Sequence, residues 1–364
     1  MKVRDVVLVN AKTESDSGSD TWQLPKPAKI LSLRIIEKAT NGATSNTVGK
    51  LKHWLSKIQV VDGSFAIASL SGREAYASYC FCNGVGSFQD LSGGAGVVIT
   101  DEVPIMFGRF MNDREYYLDT SQLVNPQLSL TWANTVSATA GIATGTTSFS
   151  VIARVIEDGA VPYKGYLMRK EVLSWTTAAS GDQHCTLPLD FPYMGIYVAA
   201  LKTTISPDTI ITNFKLSRNT DQFIDFNISG TQAYSKNVQD YGYFLQKFRP
   251  LVDTAATWLG DLYYQTGAYF SRPGATAKSI TTAVAAESVT TVATTGGTAD
   301  LTELTLAGQA PGAAVYLPFH AGDPYNPPQP DDFLNPAGLG ILDLIMTQGV
   351  VSGAGTVVVE QVHP

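Results

Sequence analysis

The chain alternates short apolar runs with turn residues along its whole length, and the same order of runs occurs twice. Strict alternation of apolar and polar residues marks Phe65–Leu70 (FAIASL) and residues 223–228 (FIDFNI), which is typical of half-buried β-strands. Most of the other apolar runs are also rich in Val, Ile, Leu, Phe and Tyr, and Gly, Pro, Asn or Asp bound them. The pattern therefore predicts an all-β protein.

Two stretches depart from the strand pattern, and both directly follow one of the alternating strands. Residues 72–81 (GREAYASYCF) and 230–241 (GTQAYSKNVQDY) contain no internal turn residue, and a Ser-Gly pair precedes or opens each. We predict a short helix at each of these places. We expect Gly72 and Gly230 to occupy equivalent positions where a strand turns into a helix, with a positive φ.

Five ordered matches relate the two halves of the chain and indicate a tandem duplication. They pair residues 4–8 with 169–173 (offset 165), Ser17-Gly18 and Leu24-Pro25 with Ser180-Gly181 and Leu187-Pro188 (offset 163), LSGREAY at 70–76 with ISGTQAY at 228–234 (offset 158), VNPQL at 124–128 with LNPAGL at 334–339 (offset 210), and the β-branched runs 148–157 and 355–362. Between the second and third matches each half also carries an apolar strand, at 30–36 and at 196–201.

The duplication predicts two domains, residues 1–160 and 161–364, each with about eight antiparallel strands and one helix near the middle. A unit of this kind buries its strands by folding into a two-sheet sandwich. Between the helix and the Asn-Pro match the offset rises from 158 to 210, which gives the second unit 52 extra residues within 243–334.

The extra segment predicts a tower-like insertion in the second unit. It contains a Val/Thr-rich stretch with a Gly296-Gly297 turn, which indicates an added hairpin, and the Pro-rich connector 323–333. Because residues 276–310 exceed the first copy, we expect that they are not needed to close the second sandwich and that they lie at the end of the molecule opposite Met1 and Pro364.

Composition narrows the classes of function. Charged residues make up 16% of the 364, against roughly 25% in an average soluble protein, and the net charge is −7. No Lys/Arg cluster is longer than a dipeptide, so we expect no direct nucleic-acid binding. We find no secretory signal and no transmembrane run, and Cys80, Cys82 and Cys185 do not suggest a disulfide framework. We expect a soluble protein made in a reducing compartment.

A search for chemistry yields no candidate catalytic, cofactor-binding or metal residue. The four histidines have no metal-site spacing; we expect His53 at the surface or rim, and the adjacent His184 and Cys185 in a loop. Nucleophile-elbow and phosphate-loop motifs are absent from the sequence. We expect Trp132 to lie in the core and the aromatic stretch 261–270 to pack internally. The sequence therefore predicts a protein that is not an enzyme and needs no cofactor.

Two tandem all-β units, each with a Ser-Gly break into a mid-domain helix, and a long insertion in one unit resemble the double jelly-roll major capsid proteins of tectivirus-like and adenovirus-hexon-like viruses. Residues 58–76 (IQVVDGSFAIASLSGREAY) are most similar to them, and 214–234 support the resemblance. It covers nearly the whole chain. It implies two eight-stranded jelly rolls and an icosahedral shell tiled by pseudo-hexagonal homotrimers, with the 243–334 insertion as an outward tower.

The resemblance also implies partners and a location. The partners are the chain itself, penton or vertex and minor capsid proteins, and an internal membrane; the location is the virion capsid, after synthesis in the host cytoplasm. Many relatives contact a membrane through a basic or helical terminal extension. Here the first strand begins within a few residues of Met1 and the last ends at Pro364, which leaves membrane contact open.

Two other functions are compatible with two β-sandwiches. One is a two-jelly-roll glycan amidase or hydrolase, which needs a pair of acids at the cleft between the domains. The other is a lectin-like carbohydrate-binding protein, which needs exposed aromatic residues. The five tryptophans are spread over both halves and do not cluster.

Overall fold

The structure is a computed structural model, and it confirms the all-β fold class. It describes residues 2–43, 50–84, 86, 89–90, 95–157, 162–202, 205–248, 251–252, 256–259, 261–272, 277–282, 288–293, 300–301, 303–320 and 328–364.

The first jelly roll is formed by residues 3–156. Its elements are β1 Val3–Thr13, β2 Ser17–Gln23, β3 Lys29–Thr40, α1 Leu51–Trp54, β4 Leu55–Asp62, β5 Phe65–Leu70, α2 Gly72–Asn83, β6 Gln89–Asp90, β7 Val98–Met106, β8 Leu118–Asp119, β9 Pro126–Ala133 and β10 Ser148–Ile156. One sheet has the order β1-β10-β3-β7-β6, with β8 beside β3, and the facing strands have the order β2-β9-β4-β5. Antiparallel neighbours that are distant in sequence are the signature of the jelly roll.

The second unit repeats this topology and carries an insertion. Its elements are β11 Tyr166–Thr176, β12 Asp182–Thr186, β13 Tyr193–Leu201, α3 Pro207–Ile210, β14 Ile211–Arg218, β15 Phe223–Ser229 and α4 Gly230–Tyr241, then the inserted strands β16 Phe244–Phe248, β17 Leu251–Val252, β18 Ala256–Leu259, β19 Leu262–Arg272, β20 Ala277–Thr282, β21 Ser288–Ala293, β22 Asp300–Leu301 and β23 Glu303–Pro311, and finally β24 Ala314–Pro318, β25 Leu342–Gln348 and β26 Ala354–His363. The orders β11-β26-β13-β24 and β12-β25-β14-β15 match those of the first unit.

Hydrogen bonds at matching places show that the two units are copies. The Phe107 amide donates to Leu31 O, and the Phe319 amide donates to Met194 O. The Leu24 amide donates to Pro126 O, and the Leu187 amide donates to Leu342 O. The last two bonds make Pro126 equivalent to Leu342. The sequence match of VNPQL with LNPAGL was therefore wrong: it aligned a strand start with the loop before β25, because Asn-Pro is common in loops.

Both predicted helices are confirmed, and both begin in the same way. Ser71 caps α2 in a capping box with Glu74, and Ser229 caps α4 in a capping box with Gln232. The expected positive φ at Gly72 and Gly230 was wrong, since neither glycine is among those with positive φ.

The glycines are instead required by close packing. A Cβ on Gly72 would lie 2.3 Å from Lys52 O, and one on Gly230 would lie 2.4 Å from Ile211 O.

Each jelly roll has its own hydrophobic core. Trp132 is 2% exposed, as expected for a core residue, and packs on Phe149 in the first unit. In the second unit Phe214 and Leu344 are fully enclosed, and Tyr263 from the insertion joins the same core. The insertion is therefore packed onto both units rather than separate from them, because its Phe244, Leu262 and Leu306 belong to the first core.

The insertion lies between α4 and β24, where 72 residues (242–313) replace the 14 (84–97) that join α2 to β7. The Pro-rich 323–333 segment follows β24, in a connection that the first unit also has, so it is not part of these extra residues. An added hairpin exists, but it is β20–β21; the Gly296-Gly297 turn lies outside the described residues.

The expected independence of residues 276–310 was wrong at its C-terminal end. There β23 pairs with β16 and β19, and it buries Leu306 and Ala310. The whole excess can therefore not be removed without cutting into a packed strand.

In the part of the chain that the structure describes, a pair of strands joins the two jelly rolls edge to edge. In this pair β5 lies parallel to β11, with Ala68 opposite Arg169 and Ser69 opposite Lys170. The pairing merges one sheet of each unit into a single eight-stranded sheet, β2-β9-β4-β5-β11-β26-β13-β24.

Candidate functional site

A buried cluster of charges fixes the base of the insertion onto the first jelly roll. Asp261, between β18 and β19, is fully buried, and its carboxylate is contacted by two lysines of the first unit, Lys50 Nζ at 3.1 Å and Lys52 Nζ at 3.2 Å. Gln246 on β16 donates to Asp261 Oδ2 at 2.8 Å and accepts from the Asp261 amide at 2.7 Å. We call Lys50, Lys52, His53, Asp101, Gln246 and Asp261 the insertion clamp.

His53 completes the clamp as a neutral ring. Its Nδ1 lies 3.1 Å from Arg73 Nη2, and its Nε2 lies 2.6 Å from Asp261 Oδ1. Arginine has only donors, so Nδ1 must accept and the ring proton must lie on Nε2, where it is donated to the carboxylate. Burial and the nearby Arg73 lower the pKa of His53 to about 3, although Asp261 opposes them. The ring is therefore an uncharged bridge at neutral pH.

The charges in the clamp balance. Burial by itself would raise the pKa of Asp261, but Lys50, Lys52 and His53 hold it well below its ordinary value. Lys52 Nζ also lies 3.3 Å from Asp101 Oδ1 and 3.8 Å from the centre of the Tyr76 ring. Burial raises the pKa of Asp101 to about 6 against the attraction of Lys52. Two lysines thus face two carboxylates in a nearly water-free site, where removing one partner is costly.

A second buried ion pair lies where the jelly rolls meet. Arg169 on β11 pairs with Glu360 on β26, and both side chains are at most 2% exposed. The same guanidinium donates to Met106 O and Gly108 O of the first unit, and it lies 3.2 Å from Cys82 Sγ. Tyr316 Oη donates to the other oxygen of Glu360 at 2.8 Å. The pair therefore joins backbone of one unit to side chains of the other.

Arg109 makes a third link and borders a cavity between the units. Its guanidinium forms a two-pronged pair with Asp113 at 2.7 and 2.9 Å, and its Nη1 donates to Pro328 O of the second unit at 2.7 Å. The adjacent cavity has a volume of about 810 Å³, and Phe81, Met111, Tyr241 and His320 contribute to its walls.

The structure places His53, His184 and Cys185 differently from what the sequence predicted. His53 is not at the surface as expected, because its side chain is only 13% exposed and is bonded on both nitrogens. His184 and Cys185 are not in a loop: they lie on β12, where Cys185 faces the core and His184 pairs with Asp343 on β25 at 2.6 Å. Alternation along the strand separates the two side chains, which is why the adjacent pair does not form a metal site.

The described residues contain no group of three His, Cys, Asp or Glu side chains placed to hold a metal ion. Burial raises the pKa of the Cys80 thiol to about 12 and that of Cys82 to about 11. Across the part of the chain that the structure describes, no helix has the length and apolar character needed to span a bilayer.

Sequence reasoning missed the insertion clamp. Its parts come from residues 50–53, 101, 246 and 261, and no local pattern connects positions that are about two hundred residues apart. One signal was present: Asp261 is a single acid inside the apolar and aromatic run TWLGDLYY, in a chain poor in charge. An acid in such a run can be buried only if it is paired, so this signal would have predicted cationic partners for Asp261.

Comparison with solved structures gives full-length similarity at low sequence identity. The MCP of STIV (Sulfolobus turreted icosahedral virus) has a TM-score of 0.61 at 12% identity, over 100% of this chain and 98% of that one. VP54 of PBCV-1 has 0.60 at 11%, over 99% and 93%. The major capsid protein P2 of bacteriophage PM2 has 0.52 at 11%, over 100% and 98%. The fold is that of the double jelly-roll major capsid proteins.

No family model and no curated protein sequence matches the chain. The similarity therefore concerns the three-dimensional arrangement, and at 11–12% identity it establishes the fold. The double jelly roll expected from the sequence is confirmed by this arrangement and by the strand orders of both units.

Proposed function

We propose that this chain is a viral major capsid protein that assembles as homotrimers, and that these trimers tile an icosahedral shell. The observation that carries the proposal is the double jelly-roll arrangement over the entire chain, shared with solved structures described as a major capsid protein and as parts of virus capsids.

The way in which the two units are joined supports a building-block role. A shell subunit must keep its two jelly rolls in one fixed orientation, because small rotations accumulate across a lattice. Here the units are held together by three kinds of contact: backbone pairing of β5 with β11, the buried Arg169–Glu360 ion pair, and the hydrogen bond from Arg109 to Pro328 O. Such a seam resists bending far better than a flexible linker would.

The insertion clamp supports the same role. The insertion enters β24 where Ala314 pairs with Ala199, while His363 pairs with Tyr166 at the other end of the same sheet. We propose that the insertion is the outer tower of the capsomer and that the clamp holds it upright above the first jelly roll.

In this role the chain acts by self-association rather than catalysis, and we propose no catalytic residue. Its partners would be further copies of itself and the penton or vertex and minor capsid proteins, with an internal membrane as a further candidate. Its location would be the virion capsid, after synthesis in the host cytoplasm.

Negative-stain electron microscopy of the purified protein tests the proposal. We expect particles with three-fold symmetry and a pseudo-hexagonal outline, which form sheets or shells at higher protein concentration. Single elongated particles with two lobes, at every concentration, would contradict the proposal and would favour a lectin-like or glycan-active monomer.

A further inference from the structure

The seam between the jelly rolls is formed by two edge strands, and the equivalent edge strands of the duplicated units have no partner strand among the described residues. In the seam, β5 of the first unit pairs with β11 of the second. The duplicate of β5 is β15, and the duplicate of β11 is β1. Among the described residues, β15 pairs only with β14 and β1 pairs only with β10, so each has one open edge. Open strand edges expose unpaired backbone donors and acceptors, which favour pairing with another strand.

The duplication also gives the residues on these open edges. Both units have a bulge at the same place in the sheet: β3 is bulged opposite Arg154 of β10, and β13 is bulged opposite Glu360 of β26. Arg154 and Glu360 are therefore equivalent positions. Asp5 lies opposite Arg154, and Arg169 lies opposite Glu360. Asp5 is therefore the counterpart of Arg169, and the true offset in this strand is 164 rather than the 165 expected from the sequence.

On the other edge, the matching capping serines Ser71 and Ser229 set an offset of 158. Phe226 is then the counterpart of Ala68, and Asn227 is the counterpart of Ser69. The seam pairs Ala68 with Arg169 and Ser69 with Lys170. Its duplicate would pair Phe226 with Asp5 and Asn227 with Val6.

Each of the two open edges exposes large apolar side chains. Phe223 is 58% exposed and Ile224 is 42% exposed on β15, and Val7 is 56% exposed on β1. The counterpart of Phe223 is Phe65, which in the seam lies 5.4 Å from Lys170 Nζ and 5.8 Å from the ring of His363 in the second unit. Phe223 thus has the position of a seam residue without the neighbouring jelly roll that the seam provides.

We propose that β15 of one copy pairs in parallel with β1 of a second copy, and that this contact repeats the internal β5–β11 seam between molecules. The occupant is a second copy because the chain already contains the complementary edge, in the right strand and register, on its other jelly roll. The inference rests on the proposed homotrimer: three chains then form a ring in which internal and intermolecular seams alternate.

Cysteine cross-linking in the full-length protein tests the register. The variant Asn227→Cys with Val6→Cys places thiols on the proposed facing pair, and Ser69→Cys with Lys170→Cys places them on the known one. After mild oxidation, denaturing gels without reductant should show the first variant linked between chains, up to a three-chain species. The second should show a link within one chain, detected by peptide mapping. Facing strand positions meet the geometric needs of a disulfide, whereas offset positions do not.

The matched control is Asn227→Cys with Thr13→Cys, which uses the far end of the same strand and should give at least ten times less linked product. Equal linking by the two pairs, within particles that light scattering shows to be trimers, would overturn the edge pairing and leave the proposed function intact. Monomers in light scattering would overturn both.

Backbone amide hydrogen exchange tests the same edge pairing in the wild-type protein, without any substitution. In trimers, amides of residues 224–228 and 4–7 should exchange as slowly as those of the β5–β11 seam. Fast exchange at both edges in a trimer would overturn the proposal.

Discussion

Gly72 packs so closely against Lys52 that a Cβ on the glycine would lie 2.3 Å from the lysine carbonyl oxygen. Gly230 repeats this relationship with Ile211 at 2.4 Å. In both units, the helix after the alternating strand therefore packs directly against backbone, that of the preceding short helix in the first unit and that of the residue after the short helix in the second. This contact explains why the Ser-Gly pair recurs in the sequence. The serine caps the helix, and the glycine has no Cβ that would prevent the close approach of the two backbone segments.

Replacing either glycine by alanine should destabilise the protein. The added carbon meets backbone rather than a movable side chain, so we expect Gly72→Ala and Gly230→Ala each to lower the free energy of unfolding by about 1–3 kcal/mol. Urea denaturation followed by tryptophan fluorescence measures the change. Gly267→Ala is the control, because its Cβ would meet nothing within 4 Å. Equal stability of Gly72→Ala and the control would contradict the close-packing account.

Asp261→Asn should loosen the insertion before it affects the jelly rolls. The change keeps the shape of the side chain but leaves Lys50 and Lys52, at most 3% exposed, with one carboxylate instead of two. Breaking a buried pair in this way costs about 3–5 kcal/mol. Limited proteolysis should cleave within 242–313 much faster than in wild type, while the jelly-roll fragments persist.

The exposed pair Lys215–Asp221 supplies the control for that experiment, at 2.7 Å on the surface of the second unit. Asp221→Asn should leave the proteolysis pattern and the stability close to wild type, because exposed pairs contribute little. Similar cleavage of the two variants would show that the clamp does not hold the insertion.

The sequence predicted whatever local chemistry determines. The alternating strand at Phe65–Leu70 and the capped helix that follows it rest on residues within a few positions of each other, and the duplication is visible because both halves repeat such local patterns. It failed where distant segments decide. The role of His53 depends on Asp261, 208 residues away, and the burial of Leu306 depends on a core formed by the other jelly roll. Asn-Pro failed as an anchor because turn residues recur without common ancestry.

Glu37 should make the protein less stable as pH rises. Its side chain is 2% exposed, and burial raises its pKa to about 8 although Asn134 donates to it at 2.8 Å. The folded state therefore retains a proton that the unfolded chain releases near pH 4.5. The stability that the protonated Glu37 contributes is fully present below that pH and is lost as pH rises through 8. Glu37→Gln mimics the protonated acid and should flatten the urea midpoint between pH 5 and 9.

Glu115→Gln is the control of opposite sign. A hydrogen bond from Lys164 lowers the pKa of Glu115, so its contribution is present above pH 4.5 and is lost only in acid. This variant should keep the wild-type decline between pH 5 and 9. A wild-type profile in Glu37→Gln would show that the buried carboxyl does not govern that decline.

The outer part of the insertion should be removable if the deletion leaves β23 intact. Arg272 and Glu303 face each other across the β19–β23 pair, so a Gly-Ser turn of four residues can replace residues 273–302. We expect this variant to fold with both jelly rolls intact, as judged by thermal melting. Deletion of 276–310 instead removes the buried Leu306 and Ala310 and should give insoluble or unfolded protein. Folding of the longer deletion would mean that β23 is dispensable.

Multi-angle light scattering of the purified wild-type chain at micromolar concentration tests the capsid account most directly. The account predicts a stable species of three times 38.9 kDa, which neither dilution nor moderate salt dissociates. A single species of 38.9 kDa across the whole concentration range would contradict it.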